Sequence, residues 1–120
     1  MSIWQHPRAS STRAAEPLTI AKPLASVSPS MKYVLLYEAS PDFRAKVPAH
    51  LEAHRALWKK FHEDGRLLMV GPFTDEPAGS AMGVFASRAA AEEFVRMDPF
   101  VAHGVVGRWG IREWNEVLAQ

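Results

Sequence analysis

His54 is the residue whose type and position point most directly to chemistry in this sequence. It lies within VPAHLEAHRALW, the stretch that begins at residue 47, three residues after Leu51 and four before Trp58. In an α-helix this spacing places the three side chains, together with Phe61, on one apolar stripe. An imidazole on such a stripe is either a core residue with a satisfied hydrogen bond or a general acid/base that works near neutral pH.

Asp98 occupies the equivalent position on a second predicted helix. It follows Phe94 by four residues and Val95 by three, so it continues the inward stripe of that helix. When two helices run antiparallel on one face of a sheet, the early part of the first lies near the end of the second. A carboxylate beside an imidazole selects the ring tautomer and stabilises the protonated ring. The two residues therefore form either a dyad for general acid/base catalysis or two structural features, a core histidine with a satisfied hydrogen bond and an Asp-Pro step that ends a helix.

His50, one helical turn before His54, offers a competing interpretation. Two histidines at positions i and i+4 can bind one metal ion from a single helix face. The zinc-protease pattern needs a glutamate directly after the first histidine, and this sequence has Leu51 there, which disfavours a metal site. We therefore expect no metal at this pair, and we expect His62, in the last helical turn, to be solvated.

The last predicted strand and the loop before it hold further polar and aromatic candidates. Arg108 and Arg112 share one face of the strand, where they hold an anionic substrate, lie at a dimer seam or form a solvated edge. His103, in the preceding loop, either lines the pocket or is an exposed loop residue. The side chains that we predict to contact a small-molecule substrate are Trp58, Phe100, His103, Arg108 and Trp109.

The composition limits the classes of protein to which the chain can belong. Its 120 residues are 48% hydrophobic and 22% charged, which is typical of one soluble domain with a modest core. A formal net charge of +1 favours neither nucleic acid nor a strongly charged protein partner. The absence of cysteine excludes disulfides, thiolate nucleophiles and thiolate metal sites. No apolar run approaches the roughly 18 residues that a membrane span needs, so we expect a soluble, cytoplasmic protein.

Residues 1–30 differ from the rest of the chain. They contain scattered Ser, Pro and Ala without a helical or strand period, and we predict a mostly disordered N-terminal extension. The stretch resembles an organelle transit peptide in composition, but its prolines interrupt any amphipathic helix, and the apolar core of a secretory signal is missing. Since Met31 directly precedes the first predicted strand, a misplaced start codon is an alternative explanation. We place the folded domain at residues 31–120.

Strand and helix signals alternate from Met31 onward. Short runs of β-formers predict strands, Pro48 suits the first turn of a helix, Gly65 supplies a left-handed helix end, and Ser87 supplies an N-cap. Pro99 is expected to end the second helix. The resulting order is strand, helix, strand, strand, helix and strand, at residues 32–38, 48–63, 66–73, 81–86, 88–97 and 105–114.

This βαββαβ order predicts an α+β, ferredoxin-like fold in which an antiparallel sheet carries both helices on one face. The other face of the sheet is also apolar in sequence. In the third strand, the two alternating sets are Ala81, Gly83 and Phe85, and Met82, Val84 and Ala86. A strand without a polar side is usually covered on both faces. We therefore predict a homodimer that forms through the open face of the sheet.

The sequence resembles the YCII-related (YciI-like) family over residues 32–114. The blocks that carry the resemblance are YVLLYE near the start, AHRAL and then GRLLMVGPF in the middle, and RMDPFVAHGVVGRWGIREW at the end. The resemblance implies a ferredoxin-like domain that pairs its sheets into a dimeric α+β barrel. It also implies an active-site dyad, with the histidine of the AH block at His54, eleven residues before Gly65, and the aspartate of the DP block at Asp98.

The resemblance narrows the reaction without naming it. The clearest enzymatic precedent in the family is a dehydrochlorinase of a chlorinated hydroxyquinol, which implies proton transfer on a small, aromatic or quinol-like molecule. We therefore predict a cofactor-independent enzyme of lyase or isomerase type, with His54 as the acid/base and Asp98 as its partner. The alternative is a non-catalytic, dimeric ligand-binding or accessory domain whose pocket is lined by Trp58, Phe100 and Trp109.

Overall fold

The computed structural model describes residues 31–118 and confirms the predicted order of strands and helices, with one short helix added. Residues 1–30, predicted to be a disordered extension, lie outside the described residues, as do residues 119–120. The elements are β1 (Met31–Ala39), α1 (Phe43–Glu63), β2 (Leu67–Pro72), β3 (Ala81–Phe85), α2 (Arg88–Met97), α3 (Pro99–Ala102) and β4 (Val106–Asn115). Of the helices within residues 31–118, none combines the length and apolarity that crossing a bilayer requires.

The four strands form one antiparallel sheet in the order β2-β3-β1-β4. In β1, Leu35 and Tyr37 point to the face that carries the helices, and both are buried. Because paired residues share a face, Trp109 and Ile111 of β4, opposite Tyr37 and Leu35, lie on this face as well. The predicted sharing of a face by Trp109 and Ile111 is therefore confirmed.

The core that holds the helices on the sheet is built on three phenylalanines. The Phe61 ring of α1 packs edge-on against Phe94 of α2 and Phe85 of β3, with centroid distances of 5.2 and 6.4 Å. All three are almost fully buried. Phe61 lies two helical turns after His54, and Phe94 lies one turn before Asp98. The packing of these rings therefore sets the distance between the two ionisable residues.

Two predicted helix boundaries are confirmed in the structure. The Ser87 hydroxyl accepts a hydrogen bond of 3.1 Å from the Ala90 backbone N–H and so caps α2. Gly65 follows the end of α1 with a φ of 80°, the left-handed conformation that glycine adopts without steric cost. Gly65 therefore explains why α1 ends where the sequence pattern changes, and Ser87 explains why α2 begins at Arg88.

The predicted start of α1 at Pro48 is wrong, because the helix begins five residues earlier, at Phe43. Pro48 lies inside the helix, where its missing N–H removes one backbone hydrogen bond. The additional turn brings Phe43 and Val47 to a cavity beside the sheet, and this tertiary packing outweighs the local signal. Leu51, predicted to face inward, is 38% exposed and lies at the edge of the same cavity.

Pro99 was predicted to end the second helix, and α2 does end just before it. Pro99 is also the first residue of a short additional helix, α3. A residue that precedes proline is driven to extended backbone angles, and Asp98 has a φ of −75° and a ψ of 118°. These angles end α2 at Met97 and turn the Asp98 side chain back over the first turn of α3. Asp98 is thus a helix cap as well as a member of the predicted dyad.

Candidate active site

His54 and Asp98, forty-four residues apart in sequence, are in direct contact. The His54 Nδ1 atom lies 2.8 Å from Asp98 Oδ1. The His54 side chain is 15% exposed, whereas the Asp98 side chain is fully buried. The structure therefore brings together the two residues that the stripe argument placed near each other.

Asp98 accepts hydrogen bonds from three donors, which satisfies both oxygens of a carboxylate that has no contact with solvent. Oδ1 accepts from His54 Nδ1 and, at 3.0 Å, from the Phe100 backbone N–H at the start of α3. Oδ2 accepts from the Tyr37 hydroxyl at 2.6 Å. A buried carboxylate needs such partners because leaving one unpaired costs several kcal/mol.

The contact with Asp98 determines which nitrogen of His54 can act on another molecule. Because Nδ1 donates its proton to the carboxylate, the neutral ring carries its lone pair on Nε2. The Phe100 ring stacks on the imidazole with a centroid distance of 3.8 Å and an interplanar angle of 4°. The carboxylate and the aromatic face hold the ring in one orientation, as a positioned general base requires.

A cavity of about 380 Å³ lies between α1 and the sheet, and His54 forms part of its wall. Its walls are mostly apolar, and they include the aromatic side chains of Phe43, Trp58 and Phe100. A volume of this size accommodates a small organic molecule. The site thus combines an oriented imidazole with room for a compact, largely apolar ligand.

The five residues predicted to contact a substrate fall into two groups. Trp58 and Phe100 line the cavity. His103 caps the end of α3 and stacks on His50, with ring centroids 4.1 Å apart, outside the cavity wall. Arg108 pairs with Glu38 at 2.7 Å on the open face of the sheet. Trp109 lies on the helix-bearing face, 38% exposed, and is also absent from the cavity wall.

The other histidines of α1 differ in their surroundings from what the sequence indicated. His50 faces His103 while His54 faces Asp98, so the two members of the i, i+4 pair have separate partners. Within residues 31–118, no group of three or more His, Asp or Glu side chains is arranged to hold a metal ion. His62, predicted to be merely solvated, forms a 2.8 Å hydrogen bond through Nδ1 with the Leu67 carbonyl and so links α1 to β2.

Tyr37 is the site residue that the sequence argument missed. Burial, and next the negative charge of Asp98, raise the pKa of the Tyr37 phenol above its ordinary value. The hydroxyl therefore keeps its proton and remains a donor to Asp98 in the native state. The signal for Tyr37 was its alternation with Leu35 on the inward face of β1, but nothing in the sequence paired it with Asp98.

Replacing Tyr37 by phenylalanine should lower the free energy of unfolding at neutral pH. The variant should then lose less of its remaining stability than the wild type as the pH rises into the alkaline range. The variant loses a buried hydrogen bond to a charged group, which costs about 1.5 to 3 kcal/mol. A raised native pKa means that above pH of about 10 only the unfolded wild type has lost this proton, so wild-type stability falls by about 1.4 kcal/mol per pH unit. The variant lacks this contribution, and the gap between the two proteins should narrow above that pH.

Urea denaturation at several pH values between neutral and alkaline checks this prediction. Tyr33→Phe, on the same face of β1, is the matched control and should follow the wild-type pH dependence. Parallel profiles for Tyr37→Phe and the wild type would contradict the prediction.

The fold and the site together define a small α+β domain whose cavity contains a histidine paired with a buried aspartate. The model of the YCII-related domain matches residues 31–115, and the chain belongs to this family, as the sequence resemblance had predicted. Its curated relatives include Protein YciI of Escherichia coli O6:H1 (strain CFT073) and Protein YciI of Shigella flexneri. Each is 28% identical over 98 residues, and each match covers 73% of this chain and 100% of the relative.

Solved structures show the same fold at lower sequence identity. A 5-chloro-2-hydroxyhydroquinone dehydrochlorinase from Burkholderia phenoliruptrix AC1100, in complex with 2,5-dihydroxybenzoquinone, is similar with a TM-score of 0.58 and 16% identity. This match covers 69% of this chain and 92% of that chain. An antibiotic biosynthesis monooxygenase has a TM-score of 0.50 and 16% identity, with 73% of this chain and 99% of that chain covered. Both likenesses show the α+β fold.

Proposed function

We propose that this protein is a cofactor-independent enzyme of lyase or isomerase type in which His54 transfers a proton to and from a small substrate. The observation that carries the proposal is the hydrogen bond from His54 Nδ1 to the buried Asp98 carboxylate. This bond leaves Nε2 as the basic nitrogen that can accept a proton from a substrate. Asp98 would orient the ring and stabilise the imidazolium that forms when Nε2 takes a proton. His54 is then the catalytic residue, and Asp98 and Tyr37 are positioning residues.

The proposed step transfers one proton between the substrate and His54. It neither oxidises nor reduces the substrate. Nε2 removes a proton from an activated C–H or O–H group, and the electron pair left behind enters the conjugated system of the substrate. In an isomerisation the proton returns to another atom of the same molecule. In an elimination an anionic group leaves and the proton passes to solvent. The dehydrochlorinase of similar fold is named for a reaction of the second type, which makes chlorinated hydroquinols suitable first substrates.

The test is proton exchange from carbon acids in D₂O, together with chloride release from chlorinated hydroquinols. The expected result is that the wild type accelerates exchange or elimination above the rate in buffer and that His54→Gln does not.

The apolar cavity also favours a second function, a non-catalytic ligand-binding domain. That function predicts that small aromatic molecules raise the melting temperature of the wild type and of His54→Gln equally, without catalysis by either.

We also propose that the protein forms a homodimer through the face of the sheet opposite the helices. This face carries Val34 and Leu36 of β1 and Met82 of β3 at its centre, and Met69 and Trp114 towards its edges. Met69 is 59% exposed and Trp114 is 46% exposed in the single chain. The same face also carries charged residues on its β1–β4 side, namely Lys32, Glu38, Arg108 and Arg112. An exposed apolar patch at the centre of a sheet face often marks a protein interface, and a second copy of the same face is self-complementary under a two-fold axis.

Met69→Lys should shift the protein from dimer to monomer. The substitution places a charge on each side of the proposed interface, and burial of an unpaired charge is costly. Because Met69 is exposed in the single chain, the fold should survive. Light scattering after size-exclusion chromatography measures the mass, and Met97→Lys, a 51% exposed methionine on α2, is the control that should remain dimeric. A monomeric wild type at micromolar concentration would refute the interface.

A further inference from the structure

We propose that the cavity takes a small planar anion, such as an aromatic or enolic acid, and that Arg55 binds its negatively charged group. The inference rests on the proposed function of the same site and adds the charge of the substrate and the residue that selects it. Arg55 directly follows His54 on α1, and both side chains contribute to the cavity wall.

The residues that line the cavity include one permanent cation and no carboxylate. That cation is the guanidinium of Arg55. The carboxylate of Asp98 lies behind His54, fully buried, with both oxygens already accepting hydrogen bonds. The Tyr37 hydroxyl also lies on the cavity side, but its proton is donated to Asp98. A ligand would therefore meet one guanidinium and one imidazole without an opposing carboxylate.

Among the arginines of residues 31–118, Arg55 is the one that lines the cavity, and like Arg44, Arg96 and Arg112 it has no carboxylate within 4.0 Å. Arg66, Arg88 and Arg108 each approach a carboxylate within 4.0 Å. Glu52 stands three residues before Arg55 on α1 and lines the outer groove of the helix with it, without forming an ion pair. The five N–H donors of Arg55 are suited to planar, two-oxygen groups such as carboxylates and enolates.

The remaining cavity wall determines the size and shape of the anion. A volume of about 380 Å³ bounded by Trp58 and Phe100 fits one ring more readily than an extended chain. Because Arg55 itself is exposed, water screens its charge, and its contribution depends on direct hydrogen bonds from the guanidinium to the anion.

The same arrangement serves the proposed chemistry. When His54 Nε2 removes a proton next to a carbonyl group, the electron pair moves to the carbonyl oxygen and creates an oxyanion. A guanidinium already present in the cavity stabilises that charge where it develops. Arg55 would thus contribute to binding the ground state and to lowering the barrier for proton removal.

Benzoate and benzamide are suitable probes because they have nearly the same shape and differ in charge. We expect the wild type to bind benzoate at least tenfold more tightly than benzamide, as measured by calorimetry or by NMR titration. Arg55→Gln should weaken benzoate binding by roughly tenfold or more and leave benzamide binding unchanged, since it removes charge-assisted hydrogen bonds. Arg55 is exposed, so the variant should fold, and circular dichroism checks this.

Lys59→Gln is the matched control for Arg55→Gln. Lys59 lies one turn later on α1 and lines the outer groove of the helix but not the cavity. The control removes the same charge from the same helix, so benzoate binding should change less than twofold. Equal weakening in both variants would show a diffuse charge effect and overturn the proposal, as would no preference for benzoate or no benzoate binding at millimolar concentration.

These binding measurements are independent of turnover. If benzoate binding depends on Arg55 while His54→Gln leaves proton exchange unchanged, the anion site stands and the proposed catalysis fails. If exchange depends on His54 while benzoate and benzamide bind equally, the catalysis stands and the anion site fails.

Discussion

Asp98→Asn is expected to lower the free energy of unfolding by about 2 to 4 kcal/mol and to release the His54 ring from its single tautomer. An asparagine oxygen can still accept from His54 and Phe100, but its amide N–H₂ then meets the Tyr37 hydroxyl, a donor that has lost its acceptor. A buried donor without an acceptor and a broken hydrogen-bond network are among the mechanisms that cause large losses of stability. The loss of the negative charge also weakens the preference for a proton on Nδ1, because an amide oxygen is a weaker acceptor than a carboxylate.

Urea denaturation and ¹⁵N NMR of the histidine rings measure the two effects separately. The wild type should show His54 with its proton on Nδ1, and Asp98→Asn should show a mixture of tautomers. Asp75→Asn, in the exposed loop between β2 and β3, is the matched control and should change stability by less than about 0.5 kcal/mol. If the His54 signals of Asp98→Asn match those of the wild type, the two residues do not act as a dyad.

His54→Gln is expected to reduce proton exchange or elimination by about 10² to 10⁴-fold, the usual contribution of one general acid/base. Glutamine has a polar amide of similar length but cannot accept and release a proton near neutral pH. A decrease in rate of this size would therefore reflect the loss of proton transfer by His54. Binding of benzoate should fall much less, because Arg55 and the aromatic walls remain.

His50→Gln provides the control for this variant. It makes the same substitution one turn earlier on α1, at a ring that stacks on His103 and does not line the cavity. Its activity should stay within about twofold of the wild type. Equal losses in the two variants would assign the effect to the helix or to α3 rather than to the proposed base.

Much of the fold follows from periodicity and local chemistry. The strand and helix order, the Ser87 cap, the Gly65 helix end and the inward set of α2 were all readable from residue spacing. The contact of His54 with Asp98 was also predictable, because each residue lies on the inward stripe of its helix and the two helices are antiparallel neighbours. Stripe position is a property of the sequence alone, since the helical repeat is constant.

Other features required contacts between segments that are distant in sequence. The start of α1 at Phe43 depends on packing beside the sheet, and α3 depends on the capping of its first turn by Asp98. Pro99 follows the end of α2 as predicted, whereas Pro48 lies inside a helix that begins five residues earlier. Local propensities are worth less than about 1 kcal/mol per residue for most residue types, so tertiary packing readily overrides them.

The sequence by itself determined the antiparallel α+β framework, the family and the two inward ionisable side chains at residues 54 and 98. Only the tertiary structure decided that Tyr37, sixty-one residues before Asp98, supplies the third hydrogen bond, that Arg55 borders the cavity, and that His103 and Arg108 lie elsewhere. The physical reason is that periodicity defines the face on which a side chain lies. Its partners depend on strand register and on the distance between packed layers, which arise only when the whole core assembles.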